Sequence, residues 1–259
     1  MRGQCIAGGA AMARSGSEDT LARGSFVRAL RAEALKSRHG APVRLAIVLA
    51  LPFPLLAAFV ALSVPQFGLS YSPWNYWYAL LMPVSITLIA ATVANADARL
   101  GNHTLLSSGV PLHLAWGAKV AWCLALLLLS NLVVFAVYAV MSLVVPQGAA
   151  SMSAMLAVAL ALTVMGSWMI PATHLLTMRV GMLAGVFVPL AVQLALSLGW
   201  SVVPFWPACP PAATIVLPTA FLPVLPSGEP ASPGMALVES ISQGPDVALA
   251  LIVAAVLTA

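Results

Sequence analysis

Few side chains in this sequence combine a reactive type with a useful spacing. Among the few polar residues inside its long apolar runs are Asn131, His174 and Gln193, and of these only His174 titrates. Ser167 and His174 stand seven residues apart, but no G-x-S-x-G turn frames the serine as a nucleophile. No H-E-x-x-H pattern offers a zinc site, and no G-x-x-x-x-G-K-[ST] loop offers backbone amides to a nucleotide phosphate. Cys5, Cys123 and Cys209 share no motif and read as three single thiols. A hydrogen bond at a helix interface is enough to account for His174. The apolar runs hold no Asp, Glu, Lys or Arg, the groups an ion-coupled pump or proton relay needs at membrane depth. The chain is therefore expected to carry no catalytic residue and to bind no metal or cofactor of its own.

The elements that must position these residues follow from composition. Of 259 residues, 61% are hydrophobic and 7% charged, and the mean hydropathy is +1.01. Soluble domains carry roughly a quarter charged residues. So sparse a set cannot cover a surface facing water, whereas lipid requires no polar cover. The net charge of +4 is no sign of nucleic acid here, because the positions of the charges matter more than their sum.

A bilayer core about 30 Å thick takes about 20 apolar helical residues. Five runs meet that length: 45–64, kinked by Pro52 and Pro54; 76–96, with Pro83 inside; 120–145; 154–178, interrupted by Pro171; and 183–203. In the third, twelve Leu, Val or Phe residues lie between Leu124 and Leu143. At about −0.3 to −0.6 kcal/mol each they give roughly −4 to −7 kcal/mol of insertion energy, more than Asn131 costs. A sixth run, 247–259, holds 13 residues and reads as a last span cut short by the end of the sequence. The fold expected is an all-α polytopic membrane protein of about six transmembrane helices. Residues 1–24, rich in Gly, Ala and Ser, are expected to be a disordered tail, with Met12 as a second possible start.

The basic residues orient these spans. All eleven Lys and Arg fall in the tail, between spans two and three (Arg99, Lys119), or at Arg179 between spans four and five. Segments 65–75, 146–153 and 204–246 have none. By the positive-inside rule the N-terminus and loops 97–119 and 179–182 are cytoplasmic. Trp74, Trp77, Trp200 and Trp206 then mark the outer interface, and Trp116 and Trp122 the inner one.

Three segments outside the spans could carry function. Residues 25–42 read as an amphipathic elbow helix with Ser25 as N-cap. Phe26, Val27, Leu30, Ala34 and Leu35 form the apolar face; Arg28, Arg31, Lys36 and Arg38 fill the rest, with Glu33 among them. It serves either as a membrane-surface anchor or as a contact for a cytoplasmic partner. The loop 97–119 is either a connector turning at Pro111 or a short helix pressing into a soluble partner through Asp97, Arg99, Asn102, His103 and Thr104. Segment 204–246 is apolar and rich in proline, which fits short re-entrant pieces better than a solvated loop. Gly181-x-x-x-Gly185 would let two helices approach closely.

Several stretches occur in an order that resembles a known family. They are Glu33-Ala-Leu-Lys36 before the first span; Trp74-Asn-Tyr-Trp77 running to Pro83; Asp97 to Thr104, then Leu105 to Pro111 and Ala118-Lys119; Ile170-Pro171; and Trp206-Pro207 followed by Leu222-Pro223-Val-Leu-Pro226-Ser227-Gly228. Together they are similar to ABC-2-type permeases (the type V exporter architecture), and within them to the permease subunits of lantibiotic immunity transporters of the MutE/EpiE and MutG types. Asp97 stands where that family usually has Glu, and Ser227 where it has Asn. The resemblance covers about residues 25–259. It implies two permease subunits, alike or different, on two cytoplasmic ABC ATPase subunits that hold ATP and Mg²⁺. It implies export of a lantibiotic-like amphipathic peptide from the bacterial cytoplasmic membrane. Asp97, Arg99, Asn102, His103 and Thr104 would couple to the ATPase, with Phe26, Arg28, Leu30, Arg31, Glu33 and Lys36 as the elbow and Trp206, Pro223, Pro226, Ser227 and Gly228 as an external segment. The alternatives are an ABC-2 permease for a drug, lipid or other peptide, and a membrane sensor or immunity protein that transports nothing.

Overall fold

The computed structural model describes residues 26–38, 40–98, 111–232, 234–242 and 245–258. Expectations for the tail, for the Ser25 cap and for Arg99, Asn102, His103 and Thr104 lie outside these residues, as does the side chain of Asp97. Among the described residues there is no strand, only an isolated bridge between Val224 and Pro230.

Helix α1 covers residues 26–38. The chain then rises as α2 (Ala41–Val48) and α3 (Pro52–Ser63). Pro52 and Pro54 lack the N–H groups that would bind the carbonyls of Val48 and Ala50, so the helix breaks there. After a turn come α4 (Ser72–Tyr76), a π-helical segment at Trp77–Leu81 and α5 (Met82–Ala98). The widened turn precedes Pro83, and the Met82 N–H reaches Trp77 O across it.

Helix α6 (Leu112–Val144) is the longest element at 33 residues, about 50 Å at ~1.5 Å per residue. Its start corrects the expectation of a loop to residue 119: Pro111 is the N-cap, and helix already runs through Ala118 and Lys119. Ser151 caps α7 (Met152–Gly166), its hydroxyl accepting from Ala154 N. The chain bends at Ser167 and continues as α8 (Met169–Arg179). Pro171 cannot donate to Ser167 O, which instead accepts from Ile170 N at 3.0 Å. Gly181, at φ 130°, turns the chain into α9 (Met182–Leu198). Then follow α10 (Pro210–Val216), α11 (Ala236–Ser242) and α12 (Asp246–Thr258).

Among the described residues four stretches are long and apolar enough to cross a membrane: Ala41–Ser63, Ser72–Ala96, Leu112–Val144 and Met152–Arg179; Met182–Leu198 and Asp246–Thr258 are shorter apolar helices. Large apolar side chains stand outward along them, including Leu55, Phe59, Leu183 and Phe187, each more than half exposed. Lipid is the medium in which such a surface is stable. The main core joins Trp74, Trp77, Tyr78, Leu127, Tyr138, Met155 and Leu162.

Within segment 204–246 the described residues include a packed stretch. Every residue from Pro210 to Thr219 is buried. Ala213 and Leu217 cluster with Ala161, Met165, Ala250 and Ala254. Met165 lies about 20 Å along its helix from Met152 at ~1.5 Å per residue, so α10 packs against the middle of the Met152–Arg179 stretch. A buried helix start normally strands backbone donors. Here Pro210 and Pro211 occupy the first two helical positions and have no N–H to strand.

Candidate functional site

The elbow is held by charge. Glu33 Oε1 lies 3.0 Å from Lys36 Nζ and 3.2 Å from Lys119 Nζ. Glu33 and Lys119 are both buried, at 7% and 3% exposure. The sequence groups Glu33 with the charged residues outside the apolar face, and the structure buries it against Lys119. The protein-facing side of α1 carries Glu33 and Ser37, while Val27 and Leu35 point outward at 46% and 66% exposure. A helix lying against lipid on one side and protein on the other needs no polar cover for its leucines, but its carboxylate requires a buried partner. Phe26 packs where a Cβ on Gly117 would come within 3.7 Å of its ring. Arg28 and Arg31 are exposed and Leu30 half-buried.

Beside this ion pair is a cavity of about 290 Å³ lined by Glu33, Ser37, Pro42, Thr92, Asn95 and Met182. It joins the elbow to the end of α5, which leads into the residues expected to couple. Deeper, Cys123 Sγ and His174 Nε2 are 3.5 Å apart, and the Trp116 ring meets the imidazole edge-on at 5.5 Å. His174 is thus an interhelical contact between α6 and α8, with a fully buried ring.

At the other end of the molecule two distant motifs meet. Asn75 Nδ2 is 2.8 Å from Tyr78 Oη, 3.2 Å from Leu225 O and 3.4 Å from Pro226 O. Gly228, at φ 89°, lies so close that an added Cβ would be 3.4 Å from Asn75 Oδ1. Leu225 N donates to Glu229 O and Ala231 N to Pro223 O, which makes 222–231 a tight hairpin turn. Of the external residues named from sequence, Pro226 and Gly228 are buried against this latch, whereas Pro223 and Ser227 are exposed. Trp206 stands apart, half-buried against the cluster around Ala213 and Ala250.

Between the two ends runs a buried polar stitch. Trp77 Nε1 donates to Asn131 Oδ1 at 3.1 Å, and Asn131 Nδ2 to Thr163 Oγ1 at 3.0 Å. Gln193 Nε2 and Ser197 Oγ both donate to Pro211 O, which ties α9 to α10. Sequence marked Asn131 and Gln193 as polar but gave no partners. It quoted Asn75 within the Trp74–Trp77 stretch but gave it no role and no partner. Gly185 is the close approach the small-residue pattern suggested: a Cβ there would overlap Thr177 Oγ1. At the loop before α4, Tyr71 Oη accepts from Ala150 N at 2.7 Å. Burial holds this phenol above the usual tyrosine range, and that hydrogen bond offsets part of the rise.

Comparison with protein-family models, curated proteins and solved structures finds no match to this chain. What fold and surface define is an all-α membrane protein, with polar clusters at both ends and a proline-started helix buried between spans.

Proposed function

We propose that this chain is the membrane-spanning permease subunit of an ABC exporter, and that its substrate is a lantibiotic-like amphipathic peptide. In this reading it crosses a bacterial cytoplasmic membrane about six times with the N-terminus inside, Met182–Leu198 belonging to the fifth crossing and Asp246–Thr258 being the start of the sixth. It works with a second permease subunit and with cytoplasmic ATPase subunits that bind ATP and Mg²⁺. The observation that carries the reading is the pairing of the ordered motifs across the fold. The elbow's Glu33 meets Lys119, and Asn75 of the Trp74–Pro83 stretch meets Leu225 and Pro226. A chain without a phosphate-loop motif must take its energy from elsewhere. The Glu33–Lys119 pair links the elbow to the helix that emerges from the 99–110 segment, so a push on that segment would move elbow and span together.

The test is co-expression with each phosphate-loop ATPase that the neighbouring genes are found to encode. The expected result is a stable complex whose ATP hydrolysis is stimulated by the peptide. Alanine at Asp97, Arg99, Asn102, His103 and Thr104 should abolish the stimulation while the chain stays folded. A chain that binds no such ATPase, or protects cells equally well with an inactive one, would refute the proposal.

A further inference from the structure

The elbow sets arginines towards the membrane surface, yet the cavity behind it is walled by acceptors. This is the space of about 290 Å³ beside Glu33. Four helices end or begin around it. Glu33, Lys36 and Ser37 come from the last two turns of α1, and Ala41 opens α2. Thr92 and Asn95 lie in the last turns of the apolar stretch Ser72–Ala96, and Met182 opens α9. These are the points at which apolar helix surface starts or stops, so the cavity lies at the level of lipid headgroups rather than acyl chains. Helix α5 packs against both α2 and α9. On the membrane side of the cavity those two neighbours carry exposed Ile47, Val48 and Phe187. Phe187 is about 8 Å deeper than Met182 at ~1.5 Å per residue.

The chemistry of the wall is specific. Glu33 is 7% exposed and meets Lys36 at 3.0 Å and Lys119 at 3.2 Å. Both lysines reach the same oxygen, Oε1, and among the described residues no hydrogen bond reaches Oε2. A charged oxygen of this kind makes its strongest hydrogen bonds to a cationic donor. Ser37, 5% exposed, adds a hydroxyl to the same wall. Asn95 Nδ2 donates to Met182 Sδ at 3.5 Å, so Oδ1 is the amide atom left to accept. Lys36 supplies the opposite charge, on a side chain that is 42% exposed. A complementary group carries a positive N–H donor and, a short link away, a negative charge. A primary ammonium directs three N–H groups outward. A quaternary ammonium has none, and a glycerol headgroup has hydroxyls but no cation.

We infer that this cavity holds the headgroup of a resident phosphoethanolamine lipid. Its ammonium lies on Glu33 Oε2, Ser37 and Asn95, its phosphate towards Lys36, and its acyl chains along the apolar sides of α2 and α9. The lipid fastens the elbow to α5 and is not cargo. The inference takes nothing from the exporter reading beyond a chain embedded in a membrane.

The experiment uses the full chain in detergent and resolves bound lipid by native mass spectrometry. The probes are phosphoethanolamine, phosphocholine and phosphoglycerol lipids with the same acyl chains at the same concentration. The first phosphoethanolamine lipid should bind about tenfold more tightly than either of the others. Asn95→Lys places a cation where the ammonium sits and should erase that preference, whereas Asn95→Asp should keep it. Glu33→Gln preserves the shape of the side chain and should also erase it; if that variant unfolds, the two Asn95 variants decide. Equal binding of the phosphocholine or phosphoglycerol lipid overturns the inference. So does a preference that survives Asn95→Lys or disappears in Asn95→Asp. Water-soluble glycerophosphoethanolamine at the same concentration should not displace the lipid. If it does, the site takes a free ammonium phosphate and the lipid assignment falls. No ATPase is present, so an ATPase complex without this preference leaves the exporter reading standing, and the preference without an ATPase leaves this one.

Discussion

Glu33 and Asn75 are the two residues whose removal tests the framework most directly. Glu33→Ala takes the carboxylate from a lysine that is 3% exposed, and losing one partner of a buried pair costs roughly 3 kcal/mol. The expected result is faster hydrogen exchange across residues 26–38 with little change elsewhere. Asn75→Ala leaves the Leu225 and Pro226 carbonyls without their side-chain donor, a cost of about 2 kcal/mol. It should open the hairpin to proteolysis at exposed Ser227 before the spans melt. Gly185→Leu would force α8 and α9 apart at Thr177 and lower the melting temperature in detergent. Tyr71 sets a pH limit. Its phenol is held above the usual range, so its contribution is fully present below about pH 10 and is lost as pH climbs through the raised value. A Tyr71→Phe variant should show a shallower loss of stability in that alkaline window.

The prolines act at the scale of elements. Pro52 and Pro171 sit where the sequence predicts a kink or interruption, and Pro83, expected inside an unbroken span, follows a π-helical turn. In α2–α3 the helix stops, before Pro83 it widens, and before Pro171 it tightens to the Ile170–Ser167 bond. Pro210 and Pro211 work the other way, since they permit a helix to begin in a buried place. Pro210→Ala introduces a better helix former yet should destabilise the protein, because the new N–H is buried without an acceptor at a cost of about 1–3 kcal/mol. Thermal unfolding in detergent checks the sign. A stabilised variant would mean that the start of α10 is solvated.

For the molecule as a whole, the outward leucines and phenylalanines of the four long helices predict that the chain stays with the bilayer after an alkaline wash. Under the proposed orientation, a cysteine replacing Asn102 should react with an impermeant reagent only in inverted vesicles. Reaction in intact cells would reverse the arrangement. The element pattern was readable in advance because apolar length, proline position and basic loops are one-dimensional properties. The helical class and the kinks at Pro52 and Pro171 follow from them. The elbow's facing was not readable. Lipid and protein core are both apolar, so the apolar face of an amphipathic helix does not reveal whether it meets lipid or protein. Only the tertiary structure brings Glu33 to Lys119 across 86 residues and Asn75 to Leu225 across 150. Such pairings depend on the rotation and depth of each helix, which are set by packing against the other helices and are written in no single segment.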